Sequence, residues 1–346
     1  MQQKQVMVVL VTGGAGYIGS HTIVELQNSG FDVVVADNFS NSNPQVLEAV
    51  KKITGKNFAV ESIDLSDTRG CEQLFNRYAI DAVIHFAARK YVGESVQQPL
   101  EYYRNNFFST INVLAEMKKH RVPYFVFSSS CTVYGEPQQL PVTEQTPVQP
   151  ATSPYGNTKQ VIEEILRDMC ISEKNMHVLA LRYFNPIGAH ASALIGELPA
   201  GVPQNLLPYL TQVAAGKRQY LQIFGNTYNT PDGTCLRDYI HVVDLAKAHV
   251  KALEYISGNK MTDNFDVFNV GTGNPVSVLE IVNTFVKVTG QNLPYKIVDK
   301  RPGDVEKVWA DPTKANRLLG WNAVYNLEQM LSSAWQWQQT LQNKEY

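Results

Sequence analysis

Tyr155 and Lys159 stand four residues apart in the string Tyr-Gly-Asn-Thr-Lys. On a helix that spacing puts both side chains on one face. A free tyrosine phenol titrates near about 10, so its phenolate is scarce at neutral pH. An ammonium beside it lowers that by roughly one to three units. Tyr155 then becomes a usable general base with Lys159 as its charged neighbour. Ser130 closes the run Ser128-Ser129-Ser130, and its hydroxyl can bond the substrate hydroxyl that Tyr155 would deprotonate. A lone YxxxK also occurs on solvated helix faces, so this chemistry needs a frame that brings the three residues together.

That frame is legible as alternating apolar runs and helical spacings. The runs 6–11, 32–36, 82–86, 124–127 and 178–181 are near-continuous, as in strands buried on both faces of a parallel sheet. Between them, 18–28, 46–52, 102–119 and 159–171 carry helical spacing. The order predicts an α/β fold, a doubly wound parallel (Rossmann) sheet over residues 1–185. After Asn185 the alternation fails and Pro, Gly and Asn become frequent. A smaller mixed α/β C-terminal domain is expected over 186–346, with a helix and strand near 243–270 returning to the first domain. A helix at 278–289 and a strand at 295–298 complete the second domain.

The first run feeds Gly13-Gly14-Ala15-Gly16-Tyr17-Ile18-Gly19 and then a helix. Such a turn lets backbone N–H groups meet a pyrophosphate at a helix N-terminus. The spacing of Gly13, Gly16 and Gly19 is GxxGxxG; in isolation it is a tight turn, but between a buried strand and an amphipathic helix it is a dinucleotide signature. Asp37 ends the second run, where its carboxylate can accept both adenine-ribose hydroxyls. No Arg lies nearby to receive a 2′-phosphate, so NAD is favoured over NADP. Asn38, Phe39, Asn41 and Ser42 follow as further cofactor-binding candidates, and Asp64-Leu65, at another strand end, either touch the adenine or form a plain turn.

The 346 residues are 44% apolar and 18% charged, with net charge −2. That balance favours neither nucleic acid nor an acidic membrane surface as partner. The short polar N-terminus carries no leader pattern, and no run is long enough to span a bilayer. Cys71, Cys131, Cys170 and Cys235 are scattered, and the seven His residues lack ligand spacing. Reduced thiols, a cytoplasmic location and no metal are expected.

Glycine turn, terminal serine and YxxxK together resemble the extended short-chain dehydrogenase/reductase family. The likeness runs nearly end to end, through His85-Phe86-Ala87-Ala88, Ser128 to Gly135, Ser153-Pro154-Tyr155 and Arg182-Tyr183-Phe184-Asn185-Pro186. Within it, Val92-Gly93-Glu94-Ser95, Pro99 to Tyr103, Phe224-Gly225-Asn226, Arg237 to Val242 and Trp309-Ala310-Asp311 are similar to members that invert carbon 4 of UDP-glucose and UDP-galactose. Related dehydratases and decarboxylases place carboxylates just before Val-Tyr-Gly; here Cys131 and Thr132 stand there, and neither does acid-base work at neutral pH. Oxidation to a 4-keto sugar, rotation and re-reduction remain, with Ser130, Tyr155 and Lys159 as catalytic residues and tightly bound NAD.

The resemblance further implies that Tyr17, Ile18, Phe86, Ala87, Lys90, Asn105 and Phe184 line the NAD, together with Ser130, Tyr155 and Lys159. For the UDP-sugar it implies Lys90, Asn185 and Asn205 at phosphate or sugar, Phe224 near the uridine and Asp304 at its ribose. Arg237 and Arg301 are candidates for the diphosphate, which suits guanidinium forks. Val308 stands where members restricted to unacetylated sugars carry Tyr, so UDP-GlcNAc and UDP-GalNAc are expected as additional substrates. No role for Arg89 follows. A homodimer is implied through the helices at 102–119 and 159–171. Two other readings stay open: another UDP-sugar-modifying member that exchanges NAD(H) with solution, and a silent NAD-sensing scaffold indifferent to Tyr155→Phe.

Overall fold

The computed structural model describes residues 6–301 and 305–342. In chain order, β1 (Val8–Thr12), α1 (Tyr17–Asn28), β2 (Asp32–Asp37), α2 (Gln45–Thr54), β3 (Ala59–Ser62), α3 (Thr68–Arg77) and β4 (Ala82–His85) come first. Next are α4 (Val92–Gln97), α5 (Pro99–His120), β5 (Tyr124–Ser130), α6 (Pro154–Ser172), β6 (His177–Tyr183) and β7 (Asn185–Ile187). Then follow α7 (Leu206–Ala214), β8 (Leu221–Phe224), β9 (Leu236–His241), α8 (Val242–Ser257) and β10 (Phe265–Val270). The chain ends through β11 (Pro275–Ser277), α9 (Val278–Thr289), β12 (Tyr295–Val298), β13 (Lys307–Val308), α10 (Thr313–Leu319) and α11 (Leu327–Gln342).

Seven strands form one parallel sheet in the order β10-β6-β5-β4-β1-β2-β3. Residue parity explains the near-continuous apolar runs. Val9 and Val11 face a core shared with α1, α2 and α8, while Leu10 faces the other core with α3, α5 and α6. Strand order reverses between β1 and β4, which leaves a crevice beyond their carboxyl ends where open α/β sheets bind ligands. All five expected runs are strands of this sheet. β3, a half-exposed edge, was not among the expected runs, whereas β10 is the strand expected near 243–270, and it joins β6 across 81 intervening residues.

Beyond β6 the chain builds a small sheet of β11-β9-β13 with β7 on β9, and a two-stranded β12-β8 pair. Its own core gathers Leu207, Leu210, Ile223, Ile281, Phe285 and Leu331. A separate apolar cluster of Val133, Tyr134, Val142, Phe184, Val308 and Ala310 joins this part to the end of β5. Val142 pairs with Ala310 at the same seam.

Four buried imidazoles carry a consequence for stability. Burial holds His21 and His85 down to about 3, and His241 and His249 to about 4. In the unfolded chain each takes up its proton near about 6.5. Below that pH the unfolded state binds protons that the folded state refuses, so stability falls as pH falls toward 4. Each imidazole contributes on the order of 1 kcal/mol per pH unit in this window. Thermal melting should therefore drop steadily from about pH 7 to about pH 5; a flat profile over that range would contradict it.

Candidate active site

The glycine turn is tight for reasons the backbone makes explicit. Gly13 has φ +65°, and a Cβ there would stand 2.8 Å from the Ala87 backbone nitrogen. A Cβ on Gly19 would stand 2.5 Å from the Gly13 carbonyl oxygen. Gly16 caps α1 without any side chain, and no acidic residue occupies the first turn. The free N–H groups and the positive helix end therefore face the crevice.

Asp37 is buried beside this turn. One of its oxygens accepts the Ala15 N–H at 2.9 Å; the other accepts Phe39 N–H and the Ser42 hydroxyl, each at 2.9 Å. An oriented carboxylate beside a helix N-terminus, on a cleft wall shared with Asn38, Ser40 and Asn41, fits an adenine ribose with free hydroxyls, and among the described residues no ion pair involves Asp37. The residues present thus fit NAD. Here Gly13, Gly16 and Gly19 would hold its pyrophosphate and Asp37 its ribose.

From the turn a cleft of about 720 Å³ runs across the sheet, a volume in the range of small-molecule sites. Its wall takes in Gly13, Gly16, Tyr17, Ile18, Gly19, Asp37, Asn38, Asn41 and Ser42. Asp64, Leu65, Phe86, Ala87, Lys90, Asn105, Tyr155 and Lys159 continue it, and Arg301 also lines it. Phe39, Ser130 and Phe184 are not on that wall. Phe39 bonds Asp37, Ser130 is buried at the strand end, and Phe184 lies in the seam cluster.

The end of β5 and the start of α6 deliver the chemical groups. Ser153 accepts the Gly156 N–H at 3.1 Å and Pro154 occupies the first helical turn, so the helix starts there and sets Tyr155 on it. Ser130 Oγ accepts the Thr132 N–H at 3.2 Å. Lys159 donates to the Ser128 carbonyl at 2.6 Å and lies 4.7 Å from the centre of the Phe127 ring. Ser128 and Tyr183 share a hydrogen bond between their hydroxyls.

The expected charge pattern of this pair needs correction. Burial raises the Tyr155 phenol well above its usual value; Tyr183 adds to the rise, and a bond with Ser130 works against it. Lys159 is pushed down to about 7 by the same burial, with Glu163 opposing. The ammonium does not dominate the phenol because desolvation disfavours both charged forms at once. Cys131 is likewise pushed up to about 12, chiefly by burial, and is a thiol at neutral pH.

Substrate candidates are more dispersed. Arg301 stacks its guanidinium 4.1 Å from the centre of the Phe224 ring, uniting two residues 77 apart in the chain. Arg237 donates to the Leu236 and Glu306 carbonyls at 2.9 and 3.3 Å and sits opposite Val308 in the β9–β13 pair. Val308 is buried in the seam cluster rather than on the cleft wall. Asn185 pairs with Tyr239. Asn205 donates to Glu197 at 2.6 Å, and Lys90 lies 3.8 Å from the same carboxylate oxygen. Asp304 lies outside the described residues.

Sequence reasoning missed Glu197, Glu163, Arg182 and Tyr183. Glu163 had a local signal, since it follows Lys159 by one helical turn, and Arg182 and Tyr183 lie in a string that carried the resemblance without a role being read from it. Arg89, without a role from sequence, lines the cleft and lies 3.6 Å from Glu94, while its N–H donates to Asn106 at 2.8 Å. Among the described residues no cluster of His, Cys, Asp or Glu could hold a metal ion, and no helix is long and apolar enough to cross a membrane.

A parallel sheet with a dinucleotide cleft that ends on a buried Tyr–Lys pair defines an NAD-dependent enzyme of the short-chain dehydrogenase/reductase class. The family model described as GDP-mannose 4,6 dehydratase matches residues 10–334. The UDP-glucose 4-epimerase of Bacillus subtilis is 53% identical over 332 residues, which cover 96% of this chain and 97% of its own. That of Homo sapiens is 50% identical over 336 residues, covering 95% and 96%. The crystal structure of the Bifidobacterium longum enzyme of the same name, in complex with NAD+ and UDP, superposes with a TM-score of 0.94 at 48% identity. It covers 97% of this chain and 99% of that one. The chain belongs to the UDP-glucose 4-epimerase family.

Proposed function

We propose that this enzyme interconverts UDP-glucose and UDP-galactose by transient oxidation at carbon 4, with Tyr155 as the acid-base group. The observation that carries the reading is the buried Tyr155–Lys159 pair at the end of a cleft that begins at the glycine turn. NAD, when bound, supplies the acceptor that takes hydride from the sugar carbon and gives it back. Tyr155 removes the proton of the 4-hydroxyl and, once the 4-keto sugar has turned its other face to the cofactor, returns it to the carbonyl oxygen. Ser130 orients that hydroxyl, and Lys159 favours the phenolate. Acid-base help of this kind contributes on the order of a hundred- to ten-thousandfold. The bulk of the grip falls on the nucleotide, through Arg237, Arg301, Phe224, Asn185, Asn205 and Lys90. The sugar is held loosely enough to turn over between the two half-reactions.

Cys131 and Thr132 support epimerisation against elimination, since a neutral thiol and a hydroxyl offer no acid-base pair. The purified protein incubated with UDP-galactose and no added NAD should form UDP-glucose. Net accumulation of NADH would favour a dehydrogenase, and no turnover a silent scaffold. UDP-GalNAc in the same assay tests the wider substrate range, which the small side chain of Val308 supports; absence of turnover removes it.

The reading extends to a homodimer through α5 and α6, supported by the exposed Leu100, Phe108 and Ile111 on α5 and Ile171 on α6. Light scattering is expected to return twice the chain mass, and a monomer would sink this part. Four unpaired cysteines support a cytoplasmic location; cell fractionation that finds the protein in an oxidising compartment would overturn it.

A further inference from the structure

One helical turn beyond Lys159, α6 carries Glu163, which is 4% exposed. Its two oxygens accept Arg182 Nε at 3.0 Å and Nη2 at 2.5 Å, a bidentate pair. The first oxygen also accepts the Ser129 hydroxyl at 2.6 Å. Arg182 in turn donates to the Tyr134 hydroxyl at 3.1 Å, which donates to Asn269 at 2.7 Å.

Three consecutive serines of β5 thus have separate tasks. The Ser128 carbonyl holds Lys159, the Ser129 hydroxyl is tied to Glu163, and Ser130 faces Tyr155. One carboxylate therefore pins the strand that ends in Ser130 to the helix that carries Tyr155 and Lys159. It does so from within the sheet side of the helix, away from bulk water.

Around Lys159 the charged and titratable groups are few. Tyr155 and Glu163 come from α6, and the Phe127 ring and Ser128 carbonyl from β5. The neutral His85 comes from β4, while Tyr183 and Arg182 of β6 face Ser128 and Glu163. Glu163 is the neighbouring charge that favours the protonated lysine. A buried ammonium beside a bound nicotinamide cation would otherwise tend to lose its proton.

We propose that Glu163 is a positioning residue of the reaction, whose carboxylate keeps Lys159 charged and so keeps Tyr155 able to release its proton. This rests on the reading of Tyr155 and Lys159 as the acid-base pair. Ser129 and Arg182 hold the carboxylate in place for that task. Glu163→Gln keeps the shape and removes the charge.

Kinetics of the NAD-loaded Glu163→Gln protein with UDP-galactose should show the alkaline limb of kcat shifted down by about one pH unit, with KM unchanged. Titration of the Tyr155 phenolate by difference absorbance against Tyr155→Phe should shift upward in the same variant. Glu163→Asp, which retains the charge, should keep the limb near its original position while lowering kcat. A uniform loss of kcat without movement of either midpoint would overturn the proposal and leave a structural role. Should the single Gln variant fail to fold, Glu163→Gln combined with Arg182→Met removes the buried pair together, a change proteins tolerate far better than loss of one partner. In that protein the Arg182 charge leaves with the carboxylate, so the midpoints should move in the same directions by less than expected of the single variant; movement in the opposite directions would overturn the proposal. If Tyr155→Phe retained full activity, the underlying acid-base reading would fall instead, whatever Glu163 did.

Discussion

Tyr155→Phe is expected to give a folded protein that still carries NAD and converts UDP-galactose roughly a hundred- to ten-thousandfold more slowly. The substitution removes one hydroxyl and leaves the ring in its buried setting. The hydroxyl lost is the group that bonds Ser130, on a ring whose centre lies 5.8 Å from the Lys159 nitrogen. The titratable neighbours nearby are poor replacements. Cys131 is held as a neutral thiol, Tyr183 is raised to about 12 by burial, and His85 is held down to about 3. The glycine turn and Asp37, which would hold the cofactor, do not touch the lost hydroxyl, so NAD content should stay at the wild-type level. Steady-state kinetics together with chromatography of cofactor released on denaturation checks both halves. Activity within a few-fold of wild type would exclude Tyr155 as the acid-base group.

Gly19→Ala should have the largest effect on cofactor binding. Alanine is the better helix former by about 1 kcal/mol, and on propensity alone the change would stabilise α1. Here the added methyl would meet the Gly13 oxygen at 2.5 Å and the Gly14 Cα at 2.8 Å, both backbone atoms. No rotamer change can relieve that contact, and overpacking of this kind costs about 1–3 kcal/mol or more. The clash therefore wins, and it opens the turn that would cradle the pyrophosphate. Bound NAD after purification should fall at least about tenfold, with a lower melting temperature, since tenfold in affinity corresponds to only about 1.4 kcal/mol. Gly55→Ala is the control. Its φ is +66° and open space surrounds it, so it should lower stability through the left-handed backbone alone and leave NAD content unchanged.

How much of this was legible depended on the range of the interactions. The strands of the sheet interior announced themselves because both faces are buried, which forces unbroken apolar runs. The half-exposed edge at Ala59–Ser62 alternates weakly over four residues and gave no such sign. Short helices such as Thr68–Arg77 were passed over, although Asp67 caps that helix through the Arg69 and Gly70 N–H groups. The glycine turn and the start of α6 are local, so spacing alone located Gly13, Gly19, Tyr155 and Lys159. The substrate side was the least legible part. Arg301 and Phe224 meet only because the chain folds back on itself, and Lys90 and Asn205 share Glu197 from distant segments.

By itself the sequence determined which groups exist and which of them are one helical turn apart: the glycine turn, the Asp37 carboxylate at the end of the second strand, and the Tyr155–Lys159 face with Ser130 upstream. The tertiary structure decided their charge. Whether Lys159 keeps its proton depends on burial by β4, β5 and β6 and on a carboxylate anchored by Arg182 from another strand. Desolvation and Coulomb energy act through space, and chain spacing encodes neither.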